Sequence, residues 1–291
     1  MSTTNTEHYT TKDLSSEEGG LKHVDDSLST EDHLQDIQRA NSVNMSPELF
    51  EKLFLSPQNA IKGDLRKTFA NPTPLAVLGL VMALTPFSCD VMGWRGAGGD
   101  GAASTGAYYF MGGLLMIIGS IGEWIMGNTY PFVLFGAYGG FWLSFAATLT
   151  PSLGAYGHYA SSYSDANPSA GLDDPTFAAS FGFYLLAMAV LSFIFAVGTL
   201  RLNICLMVVE WGLTICFGLL TATFWNLSQG NAAAAGKCLI AGGAFGFIAS
   251  AGAWWILAAQ ILAAVQFPIS LPVGDMSSVF PAARVKEDNL V

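Results

Sequence analysis

Apolar side chains along this chain neither alternate nor cluster on one face of a short helix. They run in long unbroken segments, each close to the roughly 20 residues that a bilayer core about 30 Å thick requires of a helix. Six such segments, bounded by polar or Gly/Pro-rich breaks, are predicted to be transmembrane helices: Pro74 to Val91, Tyr108 to Met126, Tyr130 to Leu149, Phe177 to Leu200, Asn203 to Trp225 and Leu239 to Gln266. The fold class expected is an all-α integral membrane protein with six transmembrane helices. Gly127-Asn128-Thr129 joins the second and third, and Arg201-Leu202 joins the fourth and fifth, so each pair is predicted to be antiparallel neighbours.

Composition agrees with a lipid solvent: 52% of the 291 residues are hydrophobic and 12% charged, against about 25% charged in an average soluble protein. The charge is also unevenly placed, with 12 of the 22 acidic and 7 of the 12 basic residues before Phe69. Three regions follow. Residues 1–68 are expected to form a disordered acidic cytosolic tail, 69–269 the six-helix transmembrane domain and 270–291 a cytosolic C-terminal tail. Within the first tail, Ser46-Pro47-Glu48 reads as an N-cap, a first-turn proline and an acidic first turn. Leu49, Phe50, Leu53 and Phe54 then share a face, giving a short amphipathic helix near 47–55 that lies at the membrane surface or over a pore mouth.

No apolar run of signal-peptide length occurs in the first 40 residues. The few cations set the orientation. Lys62, Arg66 and Lys67 precede the first span, Arg201 joins the fourth and fifth, and Arg284 and Lys286 follow the sixth, all on one side; Arg95 and Lys237 fall on the other. By the positive-inside rule both termini are cytosolic, in the plasma membrane.

Several motifs carry no chemistry. Gly96 to Gly101 is glycine-rich but lacks the Lys-Ser/Thr of a phosphate loop, and Asn226-Leu227-Ser228 abuts a predicted span end. Cys89, Cys205, Cys216 and Cys238 show no C-x-x-C or disulfide spacing, and His158 is the one histidine outside the first tail. No catalytic constellation, metal, cofactor or nucleic-acid site is expected. Gly136 with Gly140, and Gly242 with Gly246, form the small-xxx-small spacing that lets helices approach closely.

Ionisable groups at membrane depth are the informative ones, since a carboxylate at a helix centre costs about 2.5–3.5 kcal/mol on insertion scales. Two qualify. Glu123 lies one turn before the Gly127 turn, within reach of headgroups or of a neighbouring helix end. Glu210 is deeper, a third to halfway along the fifth span. Either it is protonated and hydrogen-bonded in a packed interior, or it faces a water-filled path; both readings keep it off the lipid.

Asn71-Pro72-Thr73-Pro74-Leu75 resembles the Asn-Pro-Ala-Pro-Leu-Gly-Leu signature of the acetate uptake transporter family. Gly122-Glu123-Trp124 with Gly127-Asn128-Thr129, then Tyr138-Gly139-Gly140-Phe141-Trp142, then Gly198-Thr199-Leu200, resemble further blocks of that family in the same order. The resemblance covers about Asn71 to Gln266. It implies six-helix subunits assembled as a cyclic homohexamer, each subunit with its own path for acetate and sometimes succinate or related short acids. The family's hydrophobic constriction of a Phe, a Tyr and a Leu falls on Leu80, Tyr138 and Leu213, the first a departure. Ala76 and Val77 replace the usual Gly-Leu, and the longer loop from Asp90 to Thr105 and the acidic tail resemble the fungal branch.

Leu206, Glu210, Leu213 and Phe217 follow i, i+4, i+7, i+11 and form one stripe; Phe135, Tyr138 and Trp142 form another. If Leu213 lines the path, Glu210 stands one turn from it, beside the constriction or bonded across an oligomer interface. The Tyr138 hydroxyl is a candidate donor to a carboxylate. Asn71 and Asn128 offer amide donors, with capping of helix ends as the alternative. With no Arg or Lys inside the predicted spans, a bare carboxylate has no fixed counter-charge, and proton-coupled movement or passage as the neutral acid is favoured. The partners expected are acetate or another small carboxylate, protons, membrane lipid and further copies of the chain. A dewetting anion channel, an ammonium transporter and a membrane acetate sensor are the alternatives.

Overall fold

A computed structural model describes residues 69–99, 101–160, 170–276 and 279. The acidic tail and the short helix expected near 47–55 lie outside the described residues. Six helices are each long and apolar enough to cross a bilayer: α1 (Thr73–Val91), α2 (Ala102–Ile125), α3 (Thr129–Leu149), α4 (Pro175–Thr199), α5 (Ile204–Ser228) and α6 (Ala232–Ala264). α5 packs between α4 and α6, α6 against α1, and α1 against α2 and α3.

Two helix starts differ from the sequence expectation. α6 begins at Ala232, seven residues before Leu239, because Asn231 accepts a hydrogen bond from the Ala234 amide and four alanines follow, each with the highest helix propensity. Lys237 is therefore inside a span, exposed near its end, rather than in a loop. α2 begins at Ala102, and its middle, Tyr108–Leu115, is wound as a π-helix. This wider winding turns Gly112 and Gly113 onto the Trp142 and Leu143 side chains of α3. α4 starts at Asp174, whose carboxylate accepts from the Thr176 hydroxyl and from its amide at 2.8 Å. The hydroxyl bond first, and the amide bond with it, holds the Asp174 carboxyl below the usual carboxylate range.

The outer faces carry exposed Phe110, Trp124, Phe183 and Ile194. Such a surface would be untenable in water and is ordinary against lipid chains. Lipid removes most of the hydrophobic drive for helix association, so contact comes from small residues that admit a neighbouring backbone. A Cβ on Gly79 would lie 2.6 Å from the Met111 carbonyl oxygen, and one on Gly119 would lie 2.6 Å from the Ala76 Cβ, so α1 and α2 meet almost backbone to backbone. Gly246 approaches Ser88 of α1, whereas Gly242 approaches Cys216 and Leu219 of α5, so this pair serves two neighbours; Gly136 faces Ser120 of α2, and Gly140 has open space around it. Gly79→Ala is expected to destabilise the bundle by about 1–3 kcal/mol, since a carbonyl cannot swing aside as a side chain can. Loss of signal from folded protein in a detergent thermal melt, relative to Gly140→Ala as the neutral control, measures it.

The first residues of the segment expected as the C-terminal tail pack against the bundle. Residues 271–276 fold back as a strap across the start of α5: the Ile204 amide donates to Gly274 O at 2.8 Å, the Cys205 amide to Val273 O at 3.3 Å, and the Met276 amide to Leu202 O at 2.9 Å. The first amides of a helix have no partner within it, and the strap carbonyls supply one. Asn203 and Asp275 pair as an isolated antiparallel bridge, Trp255 Nε1 donates to Pro272 O at 2.8 Å, and Val273 is buried.

Candidate functional site

One phenol joins three helices at the centre of the bundle. The Tyr138 hydroxyl of α3 donates to Glu210 Oε2 of α5 at 2.6 Å and stands 3.0 Å from Ser192 Oγ of α4. Glu210 and Ser192 are both fully buried, and Tyr138 is 1% exposed. The other carboxyl oxygen, Glu210 Oε1, is buried without a hydrogen-bond partner. A buried acceptor left unpaired is uncommon, because it has lost water without replacing it.

That carboxyl borders a cavity enclosed by α1, α3, α5, α6 and the strap, with about 30 Å³ of room for water centres; roughly 10–15 Å³ by that measure holds one water. Its walls are mainly apolar, with Thr73, Tyr130, Asn203, Glu210 and Gln260 as the polar members. A second cavity of about 20 Å³ is lined by residues of α1, α3 and α5 that include Leu84, Phe87, Phe141 and Phe217. Leu80 borders both cavities, while Tyr138 and Leu213 border the second. Aromatic packing stiffens this region: Phe217 lies edge-on to Phe141 at 4.9 Å and parallel to Tyr138 at 6.5 Å, and Phe195 meets Tyr138 at 5.8 Å.

Both predicted stripes run along the cavities. Leu206 and Glu210 line the first, and Leu213 and Phe217 the second; Phe135 lines the first, and Tyr138 and Trp142 the second. Among the described residues, no Lys or Arg lines either one.

Glu123 is elsewhere and does not reach headgroups. It is fully buried, its Oε1 accepting from the Thr73 hydroxyl at the start of α1 and its Oε2 from Asn128 Nδ2 at 2.6 Å. Asn128 makes no side-chain cap to α3, contrary to that alternative, because the left-handed Gly127 (φ 72°) folds the α2–α3 turn so that its amide points back at Glu123. Asn71 is exposed, and its Oδ1 accepts from the Thr73 amide at 2.9 Å, the capping role of the two considered. The candidate polar residues therefore divide. Glu210 and Tyr138 face the cavities, while Glu123 and Asn128 bolt α1 to the α2–α3 turn through Thr73, the one member of that bolt that borders the first cavity.

Ser192, Asn203 and Gln260 were not singled out in the sequence. Ser192 and Asn203 carry no charge to mark them, and Asn203 spends its Oδ1 on the Leu206 amide at 2.8 Å as the N-cap of α5. Gln260 had a readable signal, since Ala253, Ile256 and Gln260 follow i, i+3, i+7 and all border the first cavity.

A family model described as the GPR1/FUN34/yaaH family matches residues 55–278. Protein alcS of Aspergillus fumigatus is 42% identical over 236 residues, which cover 81% of this chain and 86% of that protein. Acetate transporter protein patA of Aspergillus clavatus is 29% identical, covering 74% of this chain and 81% of its own length. The solved structure of the bacterial acetate channel SatP superposes with a TM-score of 0.54 at 28% identity, covering 71% of this chain and 99% of that one.

Proposed function

Since the chain belongs to the GPR1/FUN34/yaaH family, we propose that it is a multi-pass plasma-membrane protein that carries acetate and related short monocarboxylates, with a proton accompanying each acid. The termini are cytosolic in this reading, which places the first cavity and the strap at the cytosolic mouth. A transporter of acetate and a channel for acetate among similar proteins support the substrate. The observation that supports the mechanism is that Leu80 borders both cavities, Glu210 the first, and Tyr138 and Leu213 the second, with no cation among the described residues on either wall; we take the neck of the path to lie between them.

The physics of that neck is selective. An ionised carboxylate entering it loses its hydration and meets carbon walls, a transfer that is prohibitive unless the charge is paired, hydrogen-bonded or removed. With no Arg or Lys to pair it, the route left is proton transfer or delivery of the acid with its proton. Glu210 and Tyr138 supply the polar atoms at that point, and Leu80 and Leu213 set the width. Assembly as a cyclic homohexamer belongs to the same proposal; native mass measurement in detergent, returning six copies, tests it.

Labelled acetate uptake into liposomes holding the purified protein, with an inward proton gradient and protein-free vesicles as baseline, tests the function. Gradient-stimulated, protein-dependent uptake is expected. Its absence in well-assembled protein sinks the transport reading and favours a sensor. Leu80→Phe is expected to lower uptake of lactate or propionate several-fold relative to acetate, because a flat ring fills more of the neck than a leucine; an unchanged ratio removes Leu80 from the selective neck.

A further inference from the structure

The first cavity holds a polar side chain that the transport mechanism above does not use. Gln260 of α6 is 4% exposed, and its Oε1 is buried without a hydrogen-bond partner. It borders the same cavity as the unpartnered Glu210 Oε1. α5 and α6 run antiparallel, with Gly212 against Ala249 and Gly252 against Cys205. Gln260 therefore stands roughly 14–20 Å nearer the mouth than Glu210, at 1.5 Å of rise per residue. Two buried oxygens without hydrogen-bond partners thus belong to residues that border one narrow apolar space.

Buried polar atoms without partners specify what can enter. An ionised carboxylate can only accept: it could take the N–H groups of the Gln260 amide but would leave Gln260 Oε1 without a donor. The hydroxyl donors nearby are committed: Tyr130 donates to Phe195 O at 2.8 Å, and Thr73 donates to Glu123. An undissociated carboxylic acid is the complement. Its O–H donates to the Gln260 Oε1, and its carbonyl accepts from the same amide's N–H, a two-point pairing of acid with primary amide.

We propose that Gln260 is a binding residue for the undissociated monocarboxylic acid at the cytosolic mouth, and that Glu210 Oε1 is the next hydrogen-bonding partner of the same acid farther in. The inference rests on the transport reading and deepens it. The proton travels as the acid's own O–H bond, so one proton accompanies each carboxylate and no net charge crosses. No proton-binding carrier state is needed at Gln260, because an amide does not titrate.

The test uses full-length protein in liposomes with the membrane potential set by potassium and valinomycin. Protein-dependent acetate uptake is expected to be the same at zero and at strongly negative or positive potential. Gln260→Leu, close in size and without the amide, is expected to raise the acid concentration for half-maximal uptake about three- to ten-fold, the effect of one neutral hydrogen bond, with the maximal rate little changed. Gln260→Asn, which keeps the amide but withdraws it by one methylene, is expected to fall between. Uptake that follows the potential, as an anion current does, overturns the proposal, as does an unchanged half-saturation in an assembled Gln260→Leu protein. If that variant fails to assemble, Gln260→Asn and the potential measurement on the unmodified protein still decide. Absence of any protein-dependent uptake overturns the transport reading itself and this inference with it; potential-driven uptake overturns this inference alone.

Discussion

Replacing Glu210 with glutamine is expected to cut gradient-driven acetate uptake at least tenfold while leaving the protein folded. The substitution keeps the size of the side chain and can keep an oxygen for the Tyr138 hydroxyl, now 2.6 Å from Glu210 Oε2. It changes the other end. The oxygen without a partner is replaced by an amide nitrogen, and the group can no longer take up or release a proton. A hydrogen bond to a charged group contributes about 1.5–3 kcal/mol, or roughly 10- to 100-fold in a rate or an affinity that depends on it. Tyr138→Phe gives the complementary result: the ring that narrows the neck is retained, and Glu210 loses its one hydrogen-bonded oxygen contact to α3. Uptake in both variants within twofold of the unmodified protein, at equal amounts of assembled protein, would show that the Glu210–Tyr138 pair is packing and no more.

Glu123→Ala is expected to have the largest effect on stability. Its two oxygens accept from the Thr73 hydroxyl and from Asn128 Nδ2, and both donors sit in residues only 1% exposed. Truncation removes the acceptor and leaves two buried donors unsatisfied at about 1–3 kcal/mol each. A sum of roughly 2–6 kcal/mol is a large share of the 5–15 kcal/mol by which a protein is typically stable. The melting temperature of the purified protein in detergent should fall by roughly 5–20 °C, and Glu123→Gln, which retains one acceptor, should fall less. An alanine variant that melts with the unmodified protein would mean that the Thr73 and Asn128 groups find other partners. The two carboxylates thus separate by experiment: one variant loses transport and keeps its fold, the other loses its fold first.

How far these roles could be read in the sequence depended on the range of the interaction. All six helices were visible as apolar runs, because lipid imposes a length and a composition on every span at once. Glu210 was visible because a carboxylate in such a run is conspicuous, and the 206–217 stripe sets it one turn from Leu213 because helical geometry is local. Its bond to Tyr138 crosses 72 residues of sequence, and no periodicity reports it. For Glu123 the helix-end alternative holds, but its partners were hidden for the same reason. Its partners come from the first turn of α1, 50 residues earlier, and from a turn reversed by Gly127, five residues later, neither of which lies on the helical face of α2. The true start of α6 was obscured by Lys237, a charge that ended the apolar run but sits comfortably near a helix end where it can reach water. Gln260 carries no charge, and an amide in an alanine-rich helix is inconspicuous in sequence; the isolation of its buried Oε1 is a property of the three-dimensional packing.

The strap after α6 also bears on how fast the path can change shape. Three backbone hydrogen bonds clasp residues 273–276 to the start of α5, with Val273 turned into the first cavity. These bonds close together and must open together, because neighbouring residues cannot swing out singly. At about 0.5–1.5 kcal/mol each, releasing the clasp adds roughly 1.5–4.5 kcal/mol to any motion that parts α5 from the strap, slowing it by about ten- to a thousand-fold. Small displacements of side chains within the cavity carry no such barrier. Traffic that needs only those displacements is quick, and traffic that needs the clasp undone waits on it.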